Sequence, residues 1–321
     1  MNTLPDPPVD VVTSLKFSPR DQLLVTSWDN QIRLYDAESS NLLSSIQAPS
    51  TPLSTIFNSG TFHSGYIDGT VRSIDLENQS FSTIKLTSKK NDTLDEDHSV
   101  GVAHLMNQRP ASNDPVLIGA SWDGKVNVID VRSNNIASTT QMPKKIFSMD
   151  TSDEYLVVGM SGRTIHIYDH RMNYSEPLQI RESGLKFQMK DLKCWEEGYA
   201  LASIDGRVAI EYYDPSDSVQ EKKYAFKCHR VPGVEEDVVF PVNSIQFKKN
   251  LLYTGGNDSV CVWNFQNRKR VKQYKVGAEN GGGEVNKISV SDSGKYLGIS
   301  SFDKDAHKSV LHLKTNEFGK R

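Results

Sequence analysis

One four-residue turn, returning seven times, constrains this chain more than any other feature. It reads Ser-Trp-Asp-Asn at 27–30, Tyr-Ile-Asp-Gly at 66–69, Ser-Trp-Asp-Gly at 121–124, Ser-Ile-Asp-Gly at 203–206 and Gly-Asn-Asp-Ser at 256–259. Weaker copies are Met-Ser-Gly-Arg at 160–163 and Ser-Phe-Asp-Lys at 301–304. In the three best copies a second aspartate follows the first by seven residues: Asp29 and Asp36, Asp68 and Asp75, Asp123 and Asp130. Short apolar or alternating runs separate the turns, and no stretch keeps a 3.6-residue period long enough for an ordinary helix. A unit recurring every forty to fifty-five residues, roughly, cannot bury both faces of its own sheet, so the copies must pack on one another around a ring. The expected fold is all-β: a seven-bladed β-propeller of four-stranded antiparallel blades, with residues 1–321 as one domain.

The first blade is expected to run Val11–Phe17, Leu23–Trp28, Gln31–Tyr35 and Leu42–Ala48. The last blade lacks a strand after Ser309–Lys314, so Met1–Leu4 is expected to close the ring. Pro5, Pro7 and Pro8 cannot donate to a ladder and limit that strand to a short edge. Asp-Gly or Asp-Asn at a hairpin centre suits a type I′ turn between second and third strands. That geometry sets Trp28 opposite Gln31, Trp122 opposite Lys125 and Ile204 opposite Arg207. Segments 87–99 and 230–239 are polar and unpatterned and read as surface loops.

Composition narrows the function. No window of eighteen apolar residues spans a membrane, and Met1–Pro8 has neither the charge nor the apolar run of a secretion signal, so an intracellular soluble protein is expected. Cys194, Cys228 and Cys261 are odd in number and form no C-x-x-C pair, which reads as free thiols. A formal net charge of −3 argues against general nucleic-acid binding. Catalytic signals are poor: Gly281-Gly-Gly283 lacks the Lys-Ser/Thr of a phosphate loop and reads as a linker. His166 and His170, four apart on a strand, lie about 13 Å from each other, too far to share a metal. No catalytic residue, metal site or cofactor is expected.

Two groups of residues stand out as binding candidates. Blades one, three and five alternate around the ring, so Trp28, Trp122 and Arg207 can look toward one concave region. A tryptophan at a hairpin tip is half out of the core, where an amphipathic ring suits a partner, whereas Trp195 and Trp263 read as packing between blades. The second group lies in Lys222-Lys-Tyr-Ala-Phe-Lys-Cys-His-Arg230, the outer strand of blade five. Alternation sends Tyr224, Phe226 and Cys228 to one face and Lys223, Lys227 and His229 to the other, or the reverse after a bulge. These lysines are either edge protection or, with Arg207, an anion site. Arg268-Lys-Arg270 and Lys272 read as solvated, and Lys248 and Lys249 are a weak extension of the anion site.

At these residues the chain resembles the small spindle-checkpoint WD-repeat propellers of the budding-uninhibited-by-benzimidazole family. The stretches that carry the resemblance are Ser27-Trp-Asp-Asn-Gln-Ile-Arg-Leu-Tyr-Asp36, Ala120-Ser-Trp-Asp-Gly124, Gly159-Met-Ser-Gly-Arg163, Gly198-Tyr-Ala-Leu-Ala-Ser-Ile-Asp-Gly-Arg-Val-Ala209, Tyr224-Ala-Phe-Lys-Cys-His-Arg230 and Pro241-Val-Asn-Ser-Ile245. The related messenger-RNA-export propellers share the Ile-Asp-Gly-Arg-Val-Ala and Phe-Lys-Cys-His-Arg types, but the aspartate after Trp28 and Pro241 fit the checkpoint branch better. The resemblance implies a non-catalytic scaffold of nucleus and kinetochore. It implies binding of acidic GLEBS segments of checkpoint kinases and pseudokinases through Trp28, Trp122 and Arg207. It also implies reading of phosphothreonine in MELT repeats of the kinetochore scaffold through Lys227 and Arg230, with no direct nucleic acid and no membrane. The alternative is an RNA-export adaptor binding a nucleoporin GLEBS segment. The chain departs from the family at Asn30, where glycine is common, in its sparse closing strand and in its few Trp-Asp pairs at strand ends.

Overall fold

The computed structural model describes residues 1–86, 100–112, 114–276, 283–304 and 306–318. The 87–99 loop and Gly281 and Gly282 of the glycine run lie outside the described residues. Seven four-stranded antiparallel sheets follow one another along the chain, each in simple up-and-down order. Blade one is Val12–Phe17, Gln22–Ser27, Gln31–Asp36 and Leu42–Gln47, within a residue or so of expectation. Blade three is Val102–Asn107, Val116–Ser121, Lys125–Asp130 and Asn135–Gln141. Blade five is Met189–Trp195, Gly198–Ser203, Arg207–Tyr212 and Tyr224–Lys227, with a single helical turn, Asp217–Gln220, before its last strand.

Burial varies with distance from the ring axis. The second strand of blade one, QLLVTS, is buried at every position after the first, because both its faces meet neighbouring blades. The outermost strand of blade three alternates exposed and half-buried residues, as a one-sided edge does. The core therefore lies in the seams between blades: Leu24, Ile32 and Ile46 of blade one pack with Phe62, Tyr66 and Ile74 of blade two.

Ring closure follows the expectation. Asn2–Thr3 pairs with the outer strand of blade seven, Lys308–Thr315, with Asn2 opposite Leu313 and Thr3 opposite His312. Leu4 donates its N–H to the Leu311 carbonyl at 2.9 Å and is 2% exposed, buried among Val12, Tyr35 and Leu313 at the seam. Burying that one side chain stabilises closure by about 2 kcal/mol. The prolines that follow end the strand but keep their carbonyls, and Pro8 O accepts from Ser309 N at 3.3 Å.

In the four Asp-Gly or Asp-Asn copies the recurring turn differs from the expected type I′. Asn30 N bonds to Ser27 O and Gly124 N to Ser121 O, which encloses two residues and leaves the fourth left-handed: Asn30 at φ 60°, Gly69 at 76°, Gly124 at 82° and Gly206 at 65°. This is a type I turn with a bulge, and the strands resume at Gln31, Lys125 and Arg207, so Trp28, Trp122 and Ile204 sit on the turn itself and not opposite those residues. The cause is the aspartate. Asp29 accepts from Gln31 N at 3.0 Å and from Ser27 Oγ, and Asp123 accepts from Lys125 N at 3.2 Å, which holds the aspartate at an ordinary negative φ. The second aspartate of each pair does the same at the opposite rim, Asp36 accepting from Ser39 N at 2.8 Å and Asp130 from Arg132 N at 2.9 Å. The weak copy at 301–304 is not a turn: Phe302 pairs with Ser309 and Asp303 with Lys308 inside extended strands.

Segment 230–239 also departs from a plain loop, since Arg230–Val231 and Val238–Val239 pair as a small hairpin on the surface. His166 and His170 hydrogen-bond separately, to Tyr168 Oη at 3.1 Å and Tyr174 Oη at 2.7 Å. Cys194, Cys228 and Cys261 are free thiols. Among the described residues no cluster of three metal-ligating side chains occurs, and no helix is long and apolar enough to cross a membrane.

Candidate functional site

The hairpins between second and third strands all lie at one rim, with the starts of the innermost strands, and together they form the upper face. Its centre is a mouth of about 610 Å³ lined by Trp28, Trp122, Phe147, Phe302 and Met189 among others. Six of the seven innermost strands carry a register shift at the same place, bulging out Thr13, Leu53, Ala103, Phe147, Lys190 and Asn286. All six bulged residues line the mouth. A bulge re-aims one side chain out of the ladder, and repeated around the ring it furnishes the opening.

The structure thus brings Trp28 and Trp122 to one opening, but it does not embed them equally. Trp28 is 41% exposed. Trp122 is half-buried, its ring lying over Gly101, where an added Cβ would come within 2.8 Å of the indole. Trp195 and Trp263 are the packing residues expected of them: Trp195 meets Phe247, Phe265 and Tyr212 with centroids 4.9–5.5 Å apart, and Trp263 meets Phe226 at 4.7 Å.

Charge around the mouth is lopsided. Lys145, Lys190, Lys287 and Lys304 line it against the single carboxylate of Glu284, which Lys304 holds at 2.7 Å. These lysines were missed in the sequence, where they are scattered over three blades; the aligned starts of the innermost strands are the signal that would have found Lys145, Lys190 and Lys287, whereas Lys304 follows the second strand of blade seven.

Arg207 does not line the mouth. It begins the third strand of blade five beside the turn, farther from the axis, and its Nε pairs with Asp205 at 3.0 Å. Lys125 pairs with Asp123 at 2.8 Å in the same way, so a cation after the turn has a role in the blade. The two terminal nitrogens of Arg207 make no hydrogen bond among the described residues. Its side chain is 39% exposed, so the fork faces solvent.

Lys227 is exposed and stands directly opposite Arg207 in the ladder. Arg230 returns to the same turn, donating from Nη2 to the Asp205 carbonyl at 2.9 Å. Arg207, Lys227 and Arg230 therefore meet around the 203–206 turn, as expected. His229 does not join them. It takes a φ of 49°, turns inward to 8% exposure and bonds Thr254 Oγ1 at 2.9 Å. Burial pushes its imidazole down to about 4, so it carries no charge near neutral pH. Tyr224, Phe226 and Cys228 face the blade-six seam as alternation requires.

The other basic residues fall away from this site. Lys248 and Lys249 close the first strand of blade six and so lie at the lower rim, where Lys248 Nζ bonds Asp292 O at 2.5 Å. Arg268 is not simply solvated, since its guanidinium stacks 4.4 Å from the Tyr224 ring, and Lys272 pairs with Glu317 at 3.5 Å. Lys269 and Arg270 are exposed.

Comparison with known proteins agrees with this geometry. The family model described as "WD domain, G-beta repeat" matches residues 2–36. The chain is 35% identical over 309 residues to "Mitotic checkpoint protein BUB3.1" of Arabidopsis thaliana, covering 93% of this chain and 86% of that protein. It is 33% identical to "Mitotic checkpoint protein bub3" of Dictyostelium discoideum, covering 92% and 86%. The "Poly(A)+ RNA export protein" of Schizosaccharomyces pombe is 28% identical, over 84% of this chain and 75% of that protein. With a seven-bladed ring, the repeated Asp turn and these relatives along nearly its whole length, the chain belongs to the BUB3 family of mitotic checkpoint WD-repeat propellers.

Proposed function

We propose that residues 1–321 act as one propeller domain, a non-catalytic scaffold that recruits a checkpoint kinase or pseudokinase to phosphorylated MELT repeats of the kinetochore scaffold during mitosis. In this reading an acidic GLEBS-type segment crosses the upper face. Trp28 and Trp122 take its apolar side chains, and Arg207 keeps Asp205 on Nε while offering its terminal nitrogens to a carboxylate as a fork. Lys227 and Arg230 supply the cations for phosphothreonine at the outer end of the same face.

The observation that carries the reading is the mouth itself: two tip aromatics opening into one aromatic cavity whose rim holds four lysines and one glutamate. Large amphipathic rings beside uncompensated ammonium groups favour an acidic partner with apolar anchors. Affinity purification of the full chain from mitotic cells tests it. A checkpoint kinase or pseudokinase should dominate the recovered proteins. A preparation dominated by a nucleoporin would assign the same face to RNA export instead.

A further inference from the structure

The innermost strands surround a channel that joins the upper mouth to an opening of about 400 Å³ on the lower face. Midway it holds a cavity of about 120 Å³, lined by Lys16 of blade one, Lys193 and Lys190 of blade five and Lys287 of blade seven. Lys16 and Lys193 also line the lower opening, and Lys190 and Lys287 the upper mouth, so the ammonium groups form a column open at both ends.

Of the carboxylates along this column, Glu284 at the upper mouth pairs with Lys304 at 2.7 Å and Asp292 lies at the lower opening, while the two beside the cavity lysines, Asp191 and Asp150, are both engaged by protein. Asp191 accepts from Ile245 N at 2.9 Å on one oxygen and from Leu192 N at 2.9 Å and Ser148 Oγ at 3.3 Å on the other, tying blades four, five and six together. Asp150 accepts from Cys194 N at 2.8 Å and pairs with Lys193 at 3.6 Å. Burial opposes the charge on Lys193, but Asp150 and Asp191 outweigh it and hold its pKa at about 12. Lys16 and Lys287 have no carboxylate within 4 Å among the described residues. Burial, with Lys193 adding repulsion, draws Lys16 down to about 8 against the pull of Asp150 and Asp191, and burial likewise lowers Lys287 against that of Asp191. His104, driven down to about 4 by burial and then by Lys287, is neutral and adds no charge.

Cations confined by protein, with too few counter-charges, raise the local concentration of anions and are stabilised by one that enters. Ser14 and Ser244 line the same cavity and add hydroxyl donors, the Ser244 oxygen accepting from Ile288 N at 3.3 Å and so keeping its O–H to give. We propose that the central channel binds a tetrahedral oxyanion of the phosphate class between Lys16, Lys193 and Lys287. The site is separate from the outer Lys227 and Arg230 and does not depend on the proposed checkpoint role. Its ligand is free phosphate or one phosphate group of a larger polyphosphate reaching in through a mouth.

Thermal melts and isothermal titration of the full chain with inorganic phosphate at constant ionic strength test the proposal. The melting temperature should rise with phosphate, as it does for any ligand that binds only the folded state. Lys16→Met combined with Lys287→Met should weaken phosphate at least tenfold, while Lys227→Ala leaves it unchanged. Methionine keeps the unbranched stem without the charge, and should the double variant fail to fold, Lys16→Gln alone must show the loss. Inositol hexakisphosphate distinguishes the sources. Tighter binding that still requires Lys16 and Lys287 points to a polyphosphate, and binding no tighter than inorganic phosphate points to the free ion. No phosphate response in the native chain, or an equal one in the channel variants, overturns the proposal. A response abolished by Lys227→Ala overturns it too, because the anion would then sit on the outer rim.

Discussion

The upper face has an aromatic side and a cationic side, and the binding we propose would use them in different ways. Trp28 and Trp122 open into a shared mouth, and neither indole N–H is hydrogen-bonded among the described residues, so a ligand displaces only water from them. On the cationic side the groups converge on one residue: Arg207 pairs with the Asp205 carboxylate, Arg230 with its carbonyl, and Lys227 stands across the ladder. Binding on the aromatic side draws on burial, which salt leaves nearly untouched. Binding on the cationic side draws on charge, which exposed groups lose to screening beyond about 10 Å at 0.1 M salt. The two halves should therefore separate under mutation and under salt.

The largest effect is expected at Arg207, on the cationic side. Arg207→Glu sets a second carboxylate beside Asp205 and repels the acidic segment. Affinity for a GLEBS-type peptide should fall at least thirtyfold, from the roughly 2–5 kcal/mol typical of breaking a desolvated interfacial pair. Folding should change little, because an exposed ion pair contributes at most about 1 kcal/mol. Titration and thermal melting of the same variant decide the matter. A destabilised protein whose folded fraction binds normally would return Arg207 to its blade and remove it from the anchors.

Next in size are the tryptophans, which test whether the aromatic side is uniform. Trp28→Ala should cost about 2 kcal/mol of binding and within about 0.5 kcal/mol of stability. Trp122→Ala should cost similar binding and also about 2 kcal/mol of stability, because the half-buried ring leaves a gap over Gly101 and Leu53. Equal stability losses in chemical denaturation would mean that the exposure difference between the two rings has no energetic content.

The blades were legible because the turn chemistry repeats in the linear order: Asp29, Asp68, Asp123 and Asp205 each tie their own turn, and the tie needs only neighbours two residues away. The meeting of Trp28 with Trp122, and of Arg207 with Lys227, followed from ring order and strand pairing. What sequence reading missed depends on contacts between blades. Phe147 and Lys190 reach the mouth through bulges that no single-strand alternation predicts. His229 was assigned to the lysine face because alternation takes no account of a left-handed residue ending the strand. Ser301–Lys304 matched the turn by composition, but pairing with Ser309 and Lys308 kept Phe302 and Asp303 extended.

The smallest predicted effect is also the one that separates the cationic side from mere edge protection. An exposed lysine on an outer strand has a sufficient reason to be there as a guard against strand addition, and removing it for that reason alone changes no affinity selectively. A phosphothreonine dianion gains more from a nearby ammonium than its neutral parent does. Lys227→Ala should thus weaken a phosphorylated MELT peptide about three- to tenfold, within the range of a partly exposed charge-assisted contact, and leave the unphosphorylated peptide nearly unchanged. The difference should shrink as salt is raised, whereas the loss in Trp28→Ala should not. Equal losses for both peptides, measured by fluorescence anisotropy at two salt concentrations, would show that Lys227 shapes the strand. The cationic side would then reduce to Arg207 and Arg230, both already held by Asp205.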